Sequence, residues 1–129
     1  MRGSPPEGDA RAAPRRRLPR AARLRSRGEF ERVFAAARRR ASARSFTVLA
    51  LPNGTAQARI GLAVSRRAAR RAVMRNRIRR IVRESFRLHR HRLGGLDCVV
   101  IARPGAAERS NRELFGELEQ LWQRLCDRA

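Results

Sequence analysis

The chain has 129 residues, 42% of them hydrophobic, and a formal net charge of +21. That length holds one domain and a tail, and that apolar content a modest core, which excludes global disorder. The charge far exceeds what keeps a protein dispersed and calls for a polyanionic partner, nucleic acid or an anionic membrane surface.

Residues 1–19 contain four Pro and the run Arg15-Arg16-Arg17, with almost nothing to bury. They read as a disordered basic extension preceding a single domain over 20–129. Ser26-Arg27-Gly28-Glu29 fits a capping box, and Phe30, Val33, Phe34 and Ala37 follow at helical spacing. A first helix is predicted over 27–38, with its two Phe in the core. Residues 38–44 are polar and basic, hence a loop. Residues 45–51 are rich in strand formers, Pro52-Asn53-Gly54 signals a turn, and Ile60, Leu62 and Val64 alternate over 58–65. These two strands are predicted to pair as a hairpin, with room for a further short strand before them.

The dominant stretch is 65–93. Between Ser65 and Arg92 there are twelve Arg and one acid, Glu84. Met74, Ile78, Ile81, Val82, Ser85 and Leu88 recur at the spacing of one helical face. Arg79, Arg80, Arg83, Arg87 and Arg90 fall opposite, with Arg75 and Arg77 on the flanks. A solvated helix face normally mixes signs to limit self-repulsion, and this one does not. Gly94-Gly95 stops the helix. Cys98-Val99-Val100-Ile101 lies in an apolar run over 96–102 that suits a central strand covered on both faces. Pro104-Gly105 breaks it, and a second capping box, Ser110 to Glu113, opens a last helix with Leu114, Leu118, Leu121, Trp122 and Leu125 on one stripe. Its charges nearly balance, so it is expected to pack structurally and leave RNA contact to other elements. The order αβββαβα gives an α+β fold, a sandwich of one mixed sheet of about four strands with three helices.

Motifs for chemistry are missing. The eleven acids form no motif-spaced pair, and there is no Gly-rich phosphate loop, nucleophile elbow or HExxH pair. Cys98 and Cys126 lack metal-ligand spacing, and His89 and His91 point to different helix faces, so neither a catalytic nor a metal site is assigned. Without a membrane-length apolar run or a signal peptide's apolar region, a cytoplasmic chain with reduced thiols is expected. All 32 basic residues are Arg, none Lys. The absence of Lys fits a GC-rich genome, though forked guanidinia also suit phosphate.

Arg59 to Arg67 (RIGLAVSRR), then Arg70 to Arg80 (RRAVMRNRIRR) with Arg83-Glu84-Ser85-Phe86-Arg87, resembles the signature of the bacterial ribonuclease P protein family. Phe30 to Phe34, the 98–102 strand and Leu121-Trp122 resemble that family in the same order, so the match covers roughly 18–126. The resemblance implies a protein subunit that assists a catalytic RNA in removing the 5′ leader of precursor tRNA, an endoribonuclease whose Mg²⁺ ions and catalytic centre belong to the RNA. No cofactor is then expected on the protein, and one protein is expected per RNA. It implies RNA-subunit contacts from Arg66, Arg70 and Arg71, from Arg75, Asn76 and Arg77, and from Arg79, Arg80 and Arg83. It implies a leader cleft with Phe30 and Phe34 on the helix side, Phe46, Ala63 and Arg67 on the strand side, and Arg44 near the rim. Stacking of bases on aromatic rings suits sequence-tolerant single-strand binding. Some members carry a Tyr on the first strand, where this chain has Leu49 or a neighbour. The family also implies a left-handed βαβ crossover through the basic helix, against the general rule of hand.

A structural RNA-binding protein of the ribosomal kind would share the size, charge and fold class but confer no processing activity. A helix-turn-helix factor lacks its preceding short helix, a membrane-surface helix would have to give up the stripe that covers the core, and a protein-only nuclease would need clustered acids.

Overall fold

The computed structural model describes residues 18–127, so the predicted extension falls outside the described residues except for its last two positions. Helix α1 spans Arg27–Ala36, strand β1 Arg39–Ser42, β2 Phe46–Pro52, β3 Arg59–Ala63, helix α2 Ala72–Leu93, strand β4 Leu96–Ala102 and helix α3 Asn111–Asp127. Short 3₁₀ turns lie at Arg20–Ala22 and Ala106–Glu108. Three helices and a four-stranded mixed sheet make the fold α+β, as the element order predicted.

The sheet order is β1-β2-β4-β3, with β2 antiparallel to β1 and β4, and β3 parallel to β4. The expected pairing of the second and third strands is therefore wrong: β4 lies between them. Its residues Cys98, Val99 and Val100 are buried whichever face they point to, and a strand apolar on both sides belongs in the centre of a sheet. The hairpin is instead β1–β2, closed by the Ala43 amide donating to the Phe46 carbonyl at 2.8 Å. Residues 39–42, expected as loop, are thus the further short strand, and the arginines of this edge oppose pairing with another chain.

Strand alternation divides the core. Phe46, Val48 and Ala50, with Ile60, Cys98 and Val100, pack beneath α2 and α3. Val33 of α1 packs with Leu24, Leu51 and Val99 on the opposite face. Helix α2 buries Ile78, Ile81, Val82, Ser85, Phe86 and Leu93. Leu88, placed on the stripe by its spacing, is 51% exposed. Phe86 does the packing instead because α3 crosses on its side: the Phe86 and Trp122 rings meet edge-on at 5.7 Å, and Trp122 Nε1 donates to Ser85 Oγ at 2.9 Å.

A buried ion pair ties the parallel strands. Arg59 reaches Asp97 with two bonds, Nε to Oδ1 at 2.8 Å and Nη2 to Oδ2 at 2.7 Å, and Asn53 Nδ2 adds a third to Oδ1 at 2.9 Å. Arg59 Nη1 also reaches Glu29 Oε2 at 3.1 Å, joining α1 to the sheet. Where 53–55 passes the start of β4, a Cβ on Gly95 would stand 2.0 Å from the Thr55 carbonyl oxygen, so no side chain fits. A Cβ on Gly116, inside α3, meets nothing within 4 Å. Gly95→Ala is expected to lose about 1–3 kcal/mol in urea unfolding through overpacking. Gly116→Ala should gain roughly 0.5–1 kcal/mol from helix propensity.

Candidate nucleic-acid interface

The basic stretch divides into a turn and a helix. Residues 65–71, with Arg66, Arg67, Arg70 and Arg71 exposed, form no helix: the amides of Ala68 and Ala69 both donate to the Ser65 carbonyl at 3.1 Å, and both alanines are buried. The helix proper begins at Ala72. Arg75 and Arg77, placed on the flanks of the apolar stripe and expected to meet RNA, both donate to their own chain. Arg75 Nη1 donates to the carbonyls of Ala69 and Arg70 at 3.0 and 2.8 Å, holding the arginine-rich turn against the helix. Arg77 Nε donates to Asn111 Oδ1 at 2.7 Å, and its two terminal nitrogens to the carbonyls of Ala107 and Arg109. A helical wheel gives their flanking position but not these partners, which for Arg77 lie 30 to 34 residues along the chain.

Outward of them runs a groove of about 700 Å³, walled on one side by Asn76, Arg79, Arg80, Arg83 and Arg87 of α2 and on the other by Asn111 and Phe115 of α3, with Arg23 at one end. Arg23, Arg79 and Arg83 also line an adjoining depression of about 310 Å³ that reaches Phe30 and Gly61. Burial, then the like charges of Arg23 and Arg79, push Arg83 below the ordinary guanidinium value. Arg23 Nε is buried without a hydrogen-bond partner among the described residues. Glu84 does not relieve this charge, because both its oxygens are held by Arg87 at 3.2 and 2.6 Å. Confined guanidinia with no free carboxylate among them fit an anion.

The second surface lies between α1 and the sheet. Register places Thr47, Ile101 and Ala63 in one row across the strands and Leu49, Val99 and Gly61 in the next. The Phe30 ring sits on Gly61, where a Cβ would stand 2.6 Å from its Cζ. Phe34, expected in the core on spacing alone, is 48% exposed. Phe30 and Phe34 thus come from the helix on this face and Ala63 from the sheet by register, and Arg67 is exposed in the turn that follows β3. Phe46 does not join them. It is fully buried on the other face, paired with Ala102 and packed under α3. Arg44 lines two depressions with Gly105 and the Glu113 and Glu117 region of α3, and no residue of α1 lines either of them. By register Thr47 and Ile101, unassigned from sequence, lie on this side of the sheet with Leu49, the residue set against the family's Tyr. Strand β2 is apolar on both faces, so it carries no alternation that would have told Phe46 from Thr47.

Among the described residues no cluster of His, Cys, Asp or Glu is arranged to hold a metal ion, and no helix is long and apolar enough to cross a membrane. Burial pushes the Cys98 thiol up to about 12, away from nucleophilic use.

A ribonuclease P family profile matches residues 18–126, which takes in both surfaces. The chain belongs to the ribonuclease P protein family. It is 43% identical over 108 residues to the ribonuclease P protein component of Chromohalobacter salexigens, covering 84% of each chain. It is 44% identical over 109 residues to that of Escherichia coli, covering 84% of this chain and 91% of the relative. The ribonuclease P protein of Staphylococcus aureus superposes with a TM-score of 0.75 at 28% identity, over 81% of this chain and 95% of that one. That of Thermotoga maritima superposes at 0.71 with 32% identity, over 79% and 96%. Family membership makes the chain a protein component of an RNA–protein nuclease with a role in tRNA 5′ processing.

The arginine-to-carboxylate tie at α1 titrates. The amides of Arg25 and Ser26, and then Arg59, hold the Glu29 carboxyl below its ordinary value. Glu29 therefore contributes stability that is complete above the ordinary carboxylate range and is lost as pH falls through its depressed native value. The stability difference between wild type and Glu29→Gln should close on acidification; a difference that widens would contradict this. Phe30→Ala is expected to cost about 1–3 kcal/mol in urea unfolding and the exposed Phe34→Ala less than ~0.5 kcal/mol.

Proposed function

We propose that this chain binds a ribonuclease P RNA through the groove on α2 and the 65–71 turn, and the single-stranded 5′ leader of precursor tRNA on the face between α1 and the sheet. The observation that carries the reading is the concentration of arginines along α2 and the turn before it, in a family defined by its RNA-containing enzyme. Arg79, Arg80 and Arg83 of the helix and Arg66, Arg70 and Arg71 of the turn neutralise phosphates, so affinity falls steeply with salt as condensed counterions are released. Phe34, with Phe30 behind it and Leu49, Ile101 and Ala63 beneath, gives bases a surface to stack on without reading their edges. Arg67 holds the leader's backbone as it leaves the cleft. Phe46 is not part of this reading.

Hydrolysis belongs to Mg²⁺ ions held by the RNA, and the protein contributes positive surface that replaces cations the RNA alone must recruit. One protein acts per RNA, in the cytoplasm. The test is to mix the purified chain, a bacterial ribonuclease P RNA and a precursor tRNA bearing a 5′ leader at low Mg²⁺, with each component also assayed alone. Cleavage at the mature 5′ end is expected only when protein and RNA are both present. Tight RNA binding without stimulation would make the chain a structural RNA binder. Cleavage by the protein alone would overturn the division of labour.

A further inference from the structure

Two side-chain amides line the arginine groove, and in each the carbonyl oxygen is already occupied by an arginine. Asn76 Oδ1 accepts from Arg79 Nη1 at 2.9 Å, and Asn111 Oδ1 accepts from Arg77 Nε at 2.7 Å. An amide oxygen that accepts one bond keeps a second lone pair, whereas the NH₂ group beside it can only donate. Neither NH₂ group meets a protein acceptor among the described residues, while Glu84, the one carboxylate on the lining, is held by Arg87. The lining therefore adds two unpartnered NH₂ groups to its guanidinia, while its one carboxylate is already paired with Arg87. Donors in such excess match a phosphodiester, whose non-bridging oxygens only accept.

We propose that Arg77 is a positioning residue and that Asn111, which it orients, donates its amide N–H to a phosphate oxygen of RNA lying in the groove. This rests on the reading of the groove as an RNA-binding surface. Arg77 is spent on three acceptors in 107–111, so its charge reaches the RNA only as a background field. Its specific effect is to fix the start of α3 as the second wall, facing Arg79 and Arg80. The last helix, expected from its balanced charge to take no part in RNA contact, does so at its first residue. Lys cannot substitute at position 77, because one ammonium nitrogen cannot span three acceptors placed for a planar fork.

The test is a double-mutant cycle on affinity for a bacterial ribonuclease P RNA, measured over a range of salt concentrations and below the melting transition of every variant. The set is wild type, Arg77→Lys, Asn111→Ala, both together, and Arg80→Ala for comparison. Asn111→Ala leaves the Ser110–Glu113 capping box in place, so it remains informative even where Arg77→Lys folds poorly. Each single variant is expected to bind about tenfold more weakly, the loss of one hydrogen bond to a charged group. The salt slope should not change, and the double variant should bind no worse than either single. Arg80→Ala should instead lower the slope by about one counterion. Wild-type affinity in Arg77→Lys or in Asn111→Ala, or losses that multiply in the double variant, would overturn the proposal while leaving RNA binding standing. Failure of the wild type to bind this RNA would overturn the RNA reading and the proposal together.

Discussion

The parallel pairing of Arg59–Ala63 with β4 is the constraint from which the rest of the arrangement follows. Two parallel neighbours cannot be joined by a tight turn, so the chain between them must travel the length of the sheet and return over one face. That return is α2. Most of its apolar stripe packs against the sheet and α3, and the rest of its surface is rich in arginine. The buried Arg59–Asp97 pair sits at the start of the parallel ladder and also reaches Glu29, so one ion network sets both the strand pairing and the seat of α1. Removing Arg59 would leave the buried Asp97 carboxylate without its cation.

A chain of this charge must hold itself together against its own field. Part of the solution is to use guanidinium forks as internal ties to backbone carbonyls. Arg39 donates to Leu125, Arg103 to Ala43 and Arg124 to Ser42, which joins the β1–β2 edge to β4 and α3. Arg75 and Arg77 do the same for the loops at either side of the groove. The arginines therefore fall into two populations, those spent on the fold and those left to solvent and to a polyanion. In the groove the second population is confined: burial first, and then the like charges of Arg23 and Arg79, hold Arg83 below the ordinary guanidinium value.

Local order was legible in the sequence to the extent that it is encoded locally. Both capping boxes form, with Ser26 and Ser110 each accepting from the amide three residues on, and the α2 stripe is correct except at its Leu88 edge. The family signature covers the stretch from which the arginines of the groove come. What was hidden depends on partners distant in the chain. The Pro52-Asn53-Gly54 signal marks a turn but not which strand will lie beside the one it ends, and β4, arriving some forty residues later, takes the place. The resemblance set Phe46 beside the cleft, whereas it packs on the other face of β2, a strand with too little alternation to fix its faces locally; the contacts of Arg77 with 107–111 likewise leave no trace in a helical wheel. The common physical reason is that side-chain direction is settled by packing, and packing is a long-range property.

The account's central claim is that two separate surfaces hold two separate RNAs. It is tested most directly by placing a photo-crosslinking side chain at Leu49 on the cleft or, in a second protein, at Arg80 in the groove, each assembled with ribonuclease P RNA and precursor tRNA. The account predicts that the Leu49 position captures the 5′ leader and the Arg80 position captures the RNA subunit. Capture of the RNA subunit from the cleft, or of the leader from the groove, would contradict it.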